Sequence, residues 1–310
     1  YDGCGQCRSC AALEAGTHPD FSHVYKELKE FTEEGRGKGP PVDLPIDVIR
    51  EFLIARAGVR PALSGRRVFV VSEAEKLTSG AQNALLKVLE EPPATCSIVL
   101  LCTRLDKLLP TIRSRAQILR FGPIDRPVLA ERLTGLGLDG QTARYLAALA
   151  QGSLGRALSL GAIQLEGVDL VAAKTDLVKA LAEGSLADAL ALAETCVDRA
   201  KAIAGAWSGI DRNTSKSDLH RRAVGLVLWM FVLALEDAMK WTLVPRGSMA
   251  NADQQTQIER LARRLGPTRA VEQIADGFEA LRWIEANVQE RLVFERLLLR
   301  ILSPGIILGL

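Results

Sequence analysis

The stretch RVFVVSEAEKLTSGAQNALLKVLEEPPATCSIVLLCTRLDKLLPTIRSRAQILRF, residues 67–121, decides how this chain folds. Its opening run Val68, Phe69, Val70, Val71 and its later run from Ser97 to Cys102 are short, apolar and rich in β-branched side chains. That is the pattern of strands covered on both faces of a parallel sheet. Between them Ala81, Ala84, Leu85, Val88 and Leu89 recur at helical spacing. They make one apolar stripe on a helix that starts near Thr78 and stops at Pro92-Pro93. Strand, helix, strand is a right-handed crossover unit, and ligands meet such units at the carboxyl ends of the strands. Ser72 to Glu75 and Thr103 to Asp106 lie at those ends, and the stretch leaves through the basic segment Ile112-Arg113-Ser114-Arg115.

Working outward, Asp20 to Val24 reads as a further strand, and Ser64-Gly65 as the turn into the central one. Ile46, Ile49, Phe52 and Leu53 repeat at helical spacing, giving a helix across the sheet. The charged, Gly- and Pro-containing segment from Glu27 to Pro41 reads as a loop of low order. Beyond Phe121, Gly122-Pro123 marks a domain boundary, and Asp125 to Leu160 holds three short helical patterns, the size of a small helical lid. From Leu165 onward helices are expected at Leu170 to Leu181, Ala187 to Ala206, His220 to Trp241, Gln257 to Leu265, Ala270 to Ala286 and Glu290 to Ile301. The expected organisation is an α/β parallel-sheet domain at 1–122, a helical lid at 123–163 and an all-α domain at 164–310. Leu243-Val244-Pro245-Arg246-Gly247-Ser248 spells a thrombin cleavage sequence, a loop whether engineered or natural, and carries no functional weight.

A chain of 310 residues makes about two or three domains. With 39 basic and 37 acidic side chains the net charge of +2 argues for neither a dedicated nucleic-acid binder nor a membrane-surface protein, so any DNA contact comes from a local patch. The longest apolar run, Ala223 to Leu235, is shorter than the roughly 20 residues that cross a bilayer. No membrane partner is expected, and without an export signal the expected location is the cytoplasm. The chain does not begin with Met, which points to a missing upstream piece.

Six cysteines, three of them clustered, fit a reducing compartment and a metal site better than a disulfide scaffold. Cys4, Cys7 and Cys10 stand three residues apart, close enough for one ion to gather them, with Gly3 and Gly5 easing the turn. Structural zinc takes four thiolate or imidazole ligands, and three thiols are visible here. His18 could supply a fourth geometrically; the alternative is three unliganded thiols.

Three segments together carry a family resemblance: Asn83-Ala84-Leu85-Leu86-Lys87, Leu89-Glu90-Glu91-Pro92-Pro93, and Leu108-Leu109-Pro110-Thr111-Ile112-Arg113-Ser114-Arg115. The chain resembles the bacterial clamp-loader family, specifically over most of Cys4 to Leu160 and weakly over the helical remainder. The resemblance implies a P-loop-type (AAA+) core truncated at its amino end, then the lid and a collar domain whose helices pack with those of other subunits into a ring. It also implies a fourth zinc-ligating Cys upstream of Tyr1. ATPases of this superfamily end the central strand with Asp-Glu; here Ser72 stands at the Asp position and Glu73 at the Glu position. A neutral hydroxyl is a poor ligand for a hard divalent cation. No G-x-x-x-x-G-K-[ST] loop occurs in the chain. Thr103 matches a nucleotide-sensing position, with capping of the following turn as its expected role instead. Gly155 falls where active relatives place a lid Arg, and Arg156, one residue on, is turned about 100° away.

Ser114-Arg115 carries the opposite message, since in clamp loaders this pair projects its Arg into a neighbouring subunit's ATP site. A guanidinium suits that task because it is always charged and grips two oxygens at once. Without the flanking motif Arg115 would read as another surface Arg beside Arg113 and Arg120. Arg104, Lys107, Arg113 and Arg120 read equally as a basic edge toward DNA phosphates or as a solvated face. The implied function is a subunit that hydrolyses no ATP itself, assists loading of the sliding clamp on primed DNA, and works with gamma/tau and delta subunits in a hetero-pentamer. The alternatives are an ATP-hydrolysing, gamma/tau-like subunit and a zinc-bearing DNA-binding module.

Overall fold

A computed structural model of the chain describes residues 3–35, 41–211, 214–244 and 249–303. Part of the expected loop, 36–40, and Pro245 to Ser248 of the thrombin-type sequence lie outside the described residues. The chain forms two compact units, 1–120 and 121–310.

The first unit is built on a parallel three-stranded sheet, β1 (Phe21–Val24), β2 (Arg67–Val71) and β3 (Cys96–Leu100), with β2 in the middle. Helix α1 (Arg8–Glu14) precedes it. Register sets Val24, Val71 and Leu100 on one face together with Phe69 and Ile98, and His23, Val70 and Val99 on the other. Among the described residues the first face carries the deeper packing. Val24, Phe69 and Val71 are buried with Val48, Ile49 and Leu53, whereas Val99 is 43% exposed. The expectation of strands covered on both faces holds fully for the first face, while on the second Val70 is half-buried and Val99 exposed among the described residues, since a β-branched run reports strand preference and not depth of cover.

The crossover helix matches its sequence. α4 (Ser79–Glu90) starts behind Thr78, whose hydroxyl accepts the Ala81 N–H at 3.2 Å, and ends before Pro92, which disfavours helical backbone in the preceding residue. Upstream, α2 (Ile46–Ile49) and α3 (Ala55–Ala57) are joined by a π-helical turn at Arg50–Ile54, so the expected helix runs continuously over 46–57 with one widened turn. The segment expected as a disordered loop is partly ordered. Lys26–Phe31 forms a 3-10 helix, Lys26 is buried, and the Thr32 hydroxyl donates to Asp47 of α2 at 2.9 Å. The turn at Ser64 is fixed by Asp20, whose carboxylate accepts the N–H groups of Ala62, Leu63 and Ser64 at 2.7 to 2.8 Å. Burial alone would raise the Asp20 pKa, but those donors outweigh it and hold it well below the usual carboxylate range. The short helix α5 (Pro110–Arg113) closes this unit, with Ile112 buried.

The second unit is entirely helical among the described residues. It contains α6 (Arg126–Thr134), α7 (Gly140–Leu149), α8 (Leu154–Leu165), α9 (Leu170–Glu183), α10 (Ala189–Ile210), α11 (Lys216–Leu243), α12 (Gln255–Glu285) and α13 (Glu290–Leu302). Gly152, at φ +78°, makes the turn into α8. A Cβ there would stand 2.2 Å from Pro123 Cβ, so no other residue fits. One continuous apolar cluster runs from Leu129 to Leu302 through all of these helices. The apolar run of α11, Val224 to Leu235, is almost wholly buried within it, so this chain's own core accounts for that run. The two expected helices at 257–265 and 270–286 are present as the two rods of α12, divided by a kink at Gly266 (φ 64°, ψ 171°) and Pro267. No helix among the described residues is long and apolar enough to cross a membrane.

Candidate functional site

The rim at the carboxyl ends of β1, β2 and β3 brings together the residues singled out from the sequence, and each is occupied by a neighbour. The Ser72 N–H donates to the Val24 carbonyl at 2.9 Å, which fixes the rim, and its hydroxyl lies 2.7 Å from His23 Nε2. Glu73 adopts left-handed backbone (φ 50°, ψ 47°), a strained conformation for a non-glycine residue. That turn aims its carboxylate at two lysines, Lys76 at 2.8 Å and Lys26 at 3.1 Å. Burial raises the Glu73 pKa, but Lys76 and Lys26 outweigh it, and the carboxyl titrates below its ordinary range. A carboxylate pinned this way is a weak base toward water.

Thr103 behaves differently from the sequence expectation. Its hydroxyl donates to Glu75 at 2.5 Å and its N–H to the other Glu75 oxygen at 3.4 Å, while the turn at Leu105–Lys107 has no side-chain cap. The hydroxyl is turned across the rim toward Glu75 and not toward the N–H groups of that turn. Lys26 and His23 were missed in the sequence. Lys26 hides in a charged run, and a charge run ordinarily marks a solvated face.

Ser114 and Arg115 follow α5. The Ser114 hydroxyl donates to the Thr111 carbonyl at 3.0 Å. Arg115 donates to the same carbonyl at 3.1 Å and forms an ion pair with Glu90, at the end of α4, at 2.9 Å. The Arg115 side chain is 36% exposed and that of Glu90 52%, so the guanidinium is held but reachable. Arg104, on the expected basic edge, is paired with Asp106 at 3.3 Å. Gly155, exposed, occupies the second position of α8, whose N-cap Ser153 accepts the Arg156 N–H at 3.3 Å.

At the amino end, Cys4, Cys7 and Cys10 place their sulfurs within 4.8 Å of one another, a spacing suited to a single metal ion. Cys7 is the N-cap of α1 and Cys10 lies in its first turn, so the helix start sets two of the three thiols. The Cys7 N–H donates to Cys4 Sγ at 3.3 Å. N–H groups of Gln6 and Cys7 lower the Cys4 pKa to about 7, which favours the metal-binding thiolate. His18 is spoken for: its Nδ1 accepts the Asp20 N–H at 3.1 Å and its Nε2 lies 2.8 Å from the Ser9 hydroxyl. It does not join the cluster, and the residues present supply three soft donors.

A family model described as DNA polymerase III, delta subunit, matches residues 1–125, and one described as DNA polymerase III, delta subunit, C terminal, matches residues 218–303. The DNA polymerase III subunit delta' of Escherichia coli is 29% identical over 99% of this chain and 82% of its own length. The corresponding protein of Bacillus subtilis is 31% identical over 46% of this chain and 40% of its own length. A solved gamma subunit-related protein of DNA polymerase III from Thermotoga maritima is 21% identical, covering 91% of this chain and 93% of its own, with a TM-score of 0.37. Matched over 1–125 and 218–303 by models described as DNA polymerase III delta subunit and along nearly its whole length by a single relative, the chain is similar to the delta' subunits of bacterial DNA polymerase III.

Proposed function

We propose that the chain is a clamp-loader subunit with a silent nucleotide site of its own. It works beside gamma/tau and delta subunits in a hetero-pentamer that loads the sliding clamp on primed DNA in the cytoplasm. The observation that carries this reading is the state of Glu73, held by Lys26 and Lys76 beside a serine where a magnesium-binding carboxylate would stand. Hydrolysis needs a carboxylate near the metal and another free to orient water. Arg115, accessible at the end of α5, supports a role as an arginine finger acting in trans, with Ser114 shaping its approach. Residues 123–163 would serve as the lid and 164–310 as the collar. The direct test mixes the purified chain with delta and gamma/tau subunits. The expected outcome is one stable complex, with ATP turnover absent from this chain alone; turnover by the isolated chain would remove the reading.

Cys4, Cys7 and Cys10 support a structural zinc ion, with a fourth donor from outside the described residues. Bound zinc would hold the three thiolates and tie α1 to the turn before it. A chain extended upstream and purified without chelator is expected to carry one zinc by metal analysis, and Cys7→Ser to lose it with a drop in melting temperature. Background zinc in the parent protein would end this assignment.

A further inference from the structure

The second unit contains a cavity of about 390 Å³ that none of the roles above uses. It opens between α8, the end of α10 and the first half of α11, and is lined by Arg156, Trp207, Asp211, Arg222 and Trp229. Its size lies within the range of small-ligand sites. Its two cations differ in how they are balanced. Arg222 leans on Asp211 at 3.8 Å and Asp218 at 4.0 Å. Arg156 is half-buried, and its hydrogen-bond partner among the described residues is the neutral Gln151 side chain at 3.4 Å. Burial lowers the Arg156 pKa to about 10, the mark of a guanidinium drawn out of water without a counter-charge.

The rest of the lining is suited to a flat ring. Trp207 is 7% exposed, and Trp229 is held edge-on against Phe278, with ring centroids 5.4 Å apart and planes at 82°. Indole faces take aromatic rings and cations, and a guanidinium grips carboxylate or phosphate oxygens in pairs. Two glycines keep the space clear. A Cβ on Gly155 would meet nothing within 4 Å, and one on Gly225 only Leu281 at 3.8 Å, so alanine would fit at either place. A glycine inside a helix costs about 1 kcal/mol relative to alanine, and packing gives no reason for that cost at Gly225, which lies in the interior of α11.

We propose that this cavity is a binding site for a small planar aromatic anion, its carboxylate or phosphate on Arg156 and its ring against the cavity indoles. Aromatic acids and nucleoside monophosphates share that chemistry. Titration calorimetry on the full chain separates them, using indole-3-acetate for the first and thymidine monophosphate for the second. Saturable binding of at least one probe is expected, with the uncharged ring of indole-3-ethanol and ring-free inorganic phosphate both weaker by about tenfold or more. Arg156→Met is expected to weaken the bound probe by about tenfold or more, the loss of one charge-assisted contact. Gly155→Phe, at an exposed position with open space before it, is expected to block the cavity without altering the melting temperature. The proposal is overturned if neither probe saturates, if inorganic phosphate binds as well as the aromatic anions, or if a folded Gly155→Phe protein binds unchanged.

Discussion

Arg115→Ala is expected to leave the fold of this chain and its assembly with other subunits unchanged while turnover at the adjoining ATP site falls by about 10³-fold or more. The two effects separate because of what holds the side chain. Its partners are an exposed Glu90 carboxylate and the Thr111 carbonyl. Surface ion pairs of this kind contribute about 0 to 1 kcal/mol, so truncation barely touches stability. A triphosphate in a neighbour's pocket would take the guanidinium in place of Glu90, trading one carboxylate for several phosphate oxygens. Glu90→Gln is therefore expected to keep turnover at or above the parent level, since it removes a competitor and not the finger. Arg115→Lys is expected to stay slow, because an ammonium lacks the planar fork that spans two oxygens. Steady-state ATP hydrolysis by the reconstituted complex on primed DNA decides the matter. A complex that contains Arg115→Ala and hydrolyses at the parent rate would leave Arg115 an ordinary surface residue.

The second large effect concerns the helical unit. Lys174 of α9 is 1% exposed, and its ammonium lies 2.5 and 2.6 Å from the two oxygens of Asp253, over the Tyr145 ring at 5.0 Å. Asp253→Ala strips the counter-charge from a cation that cannot reach water, and is expected to cost about 3 to 5 kcal/mol of unfolding free energy. Lys174→Met is expected to cost far less, about 1 kcal/mol or below, because the thioether fills similar volume and the abandoned carboxylate is already partly solvated. Urea unfolding of the two variants beside the parent reads this asymmetry directly. Equal losses from both substitutions, or an Asp253→Ala protein as stable as its parent, would mean that the pair is not the buried keystone its geometry describes.

What could be read in advance followed from local rules that tertiary packing did not override. The stripe Ala81, Leu85, Val88, the Thr78 cap and the stop at Pro92 are all short-range, and α4 runs from Ser79 to Glu90 accordingly. The helices of the second unit were legible for the same reason, their apolar spacing persisting over many turns. The rim was legible as a place but not as a network. Ser72, Glu73 and Thr103 were identifiable by position, yet their partners His23, Lys26 and Glu75 depend on strand register and on a left-handed turn at Glu73. A non-glycine residue carries no signal for such a turn. Glu90 was visible within a motif, but its pairing with Arg115 spans the sheet strand and connections that lie between them. The exposure of Val99 was illegible because it looks in sequence like Val70, its half-buried neighbour on the same face.

The interruption of α12 has a mechanical consequence. At Gly266 the backbone leaves helical space, and Pro267 has no N–H to offer the preceding turn, so the ladder that gives a helix its stiffness is severed between two stacked rods. Tilt imposed on the rod before Gly266 is not levered along a common axis into the rod after it. It reaches 267–285 through the helices packed beside both rods, α11 with the broadest contact and α13, whose last turn accepts Arg264 and Arg269 from either side of the break, so load passes through those contacts and not along the helix itself.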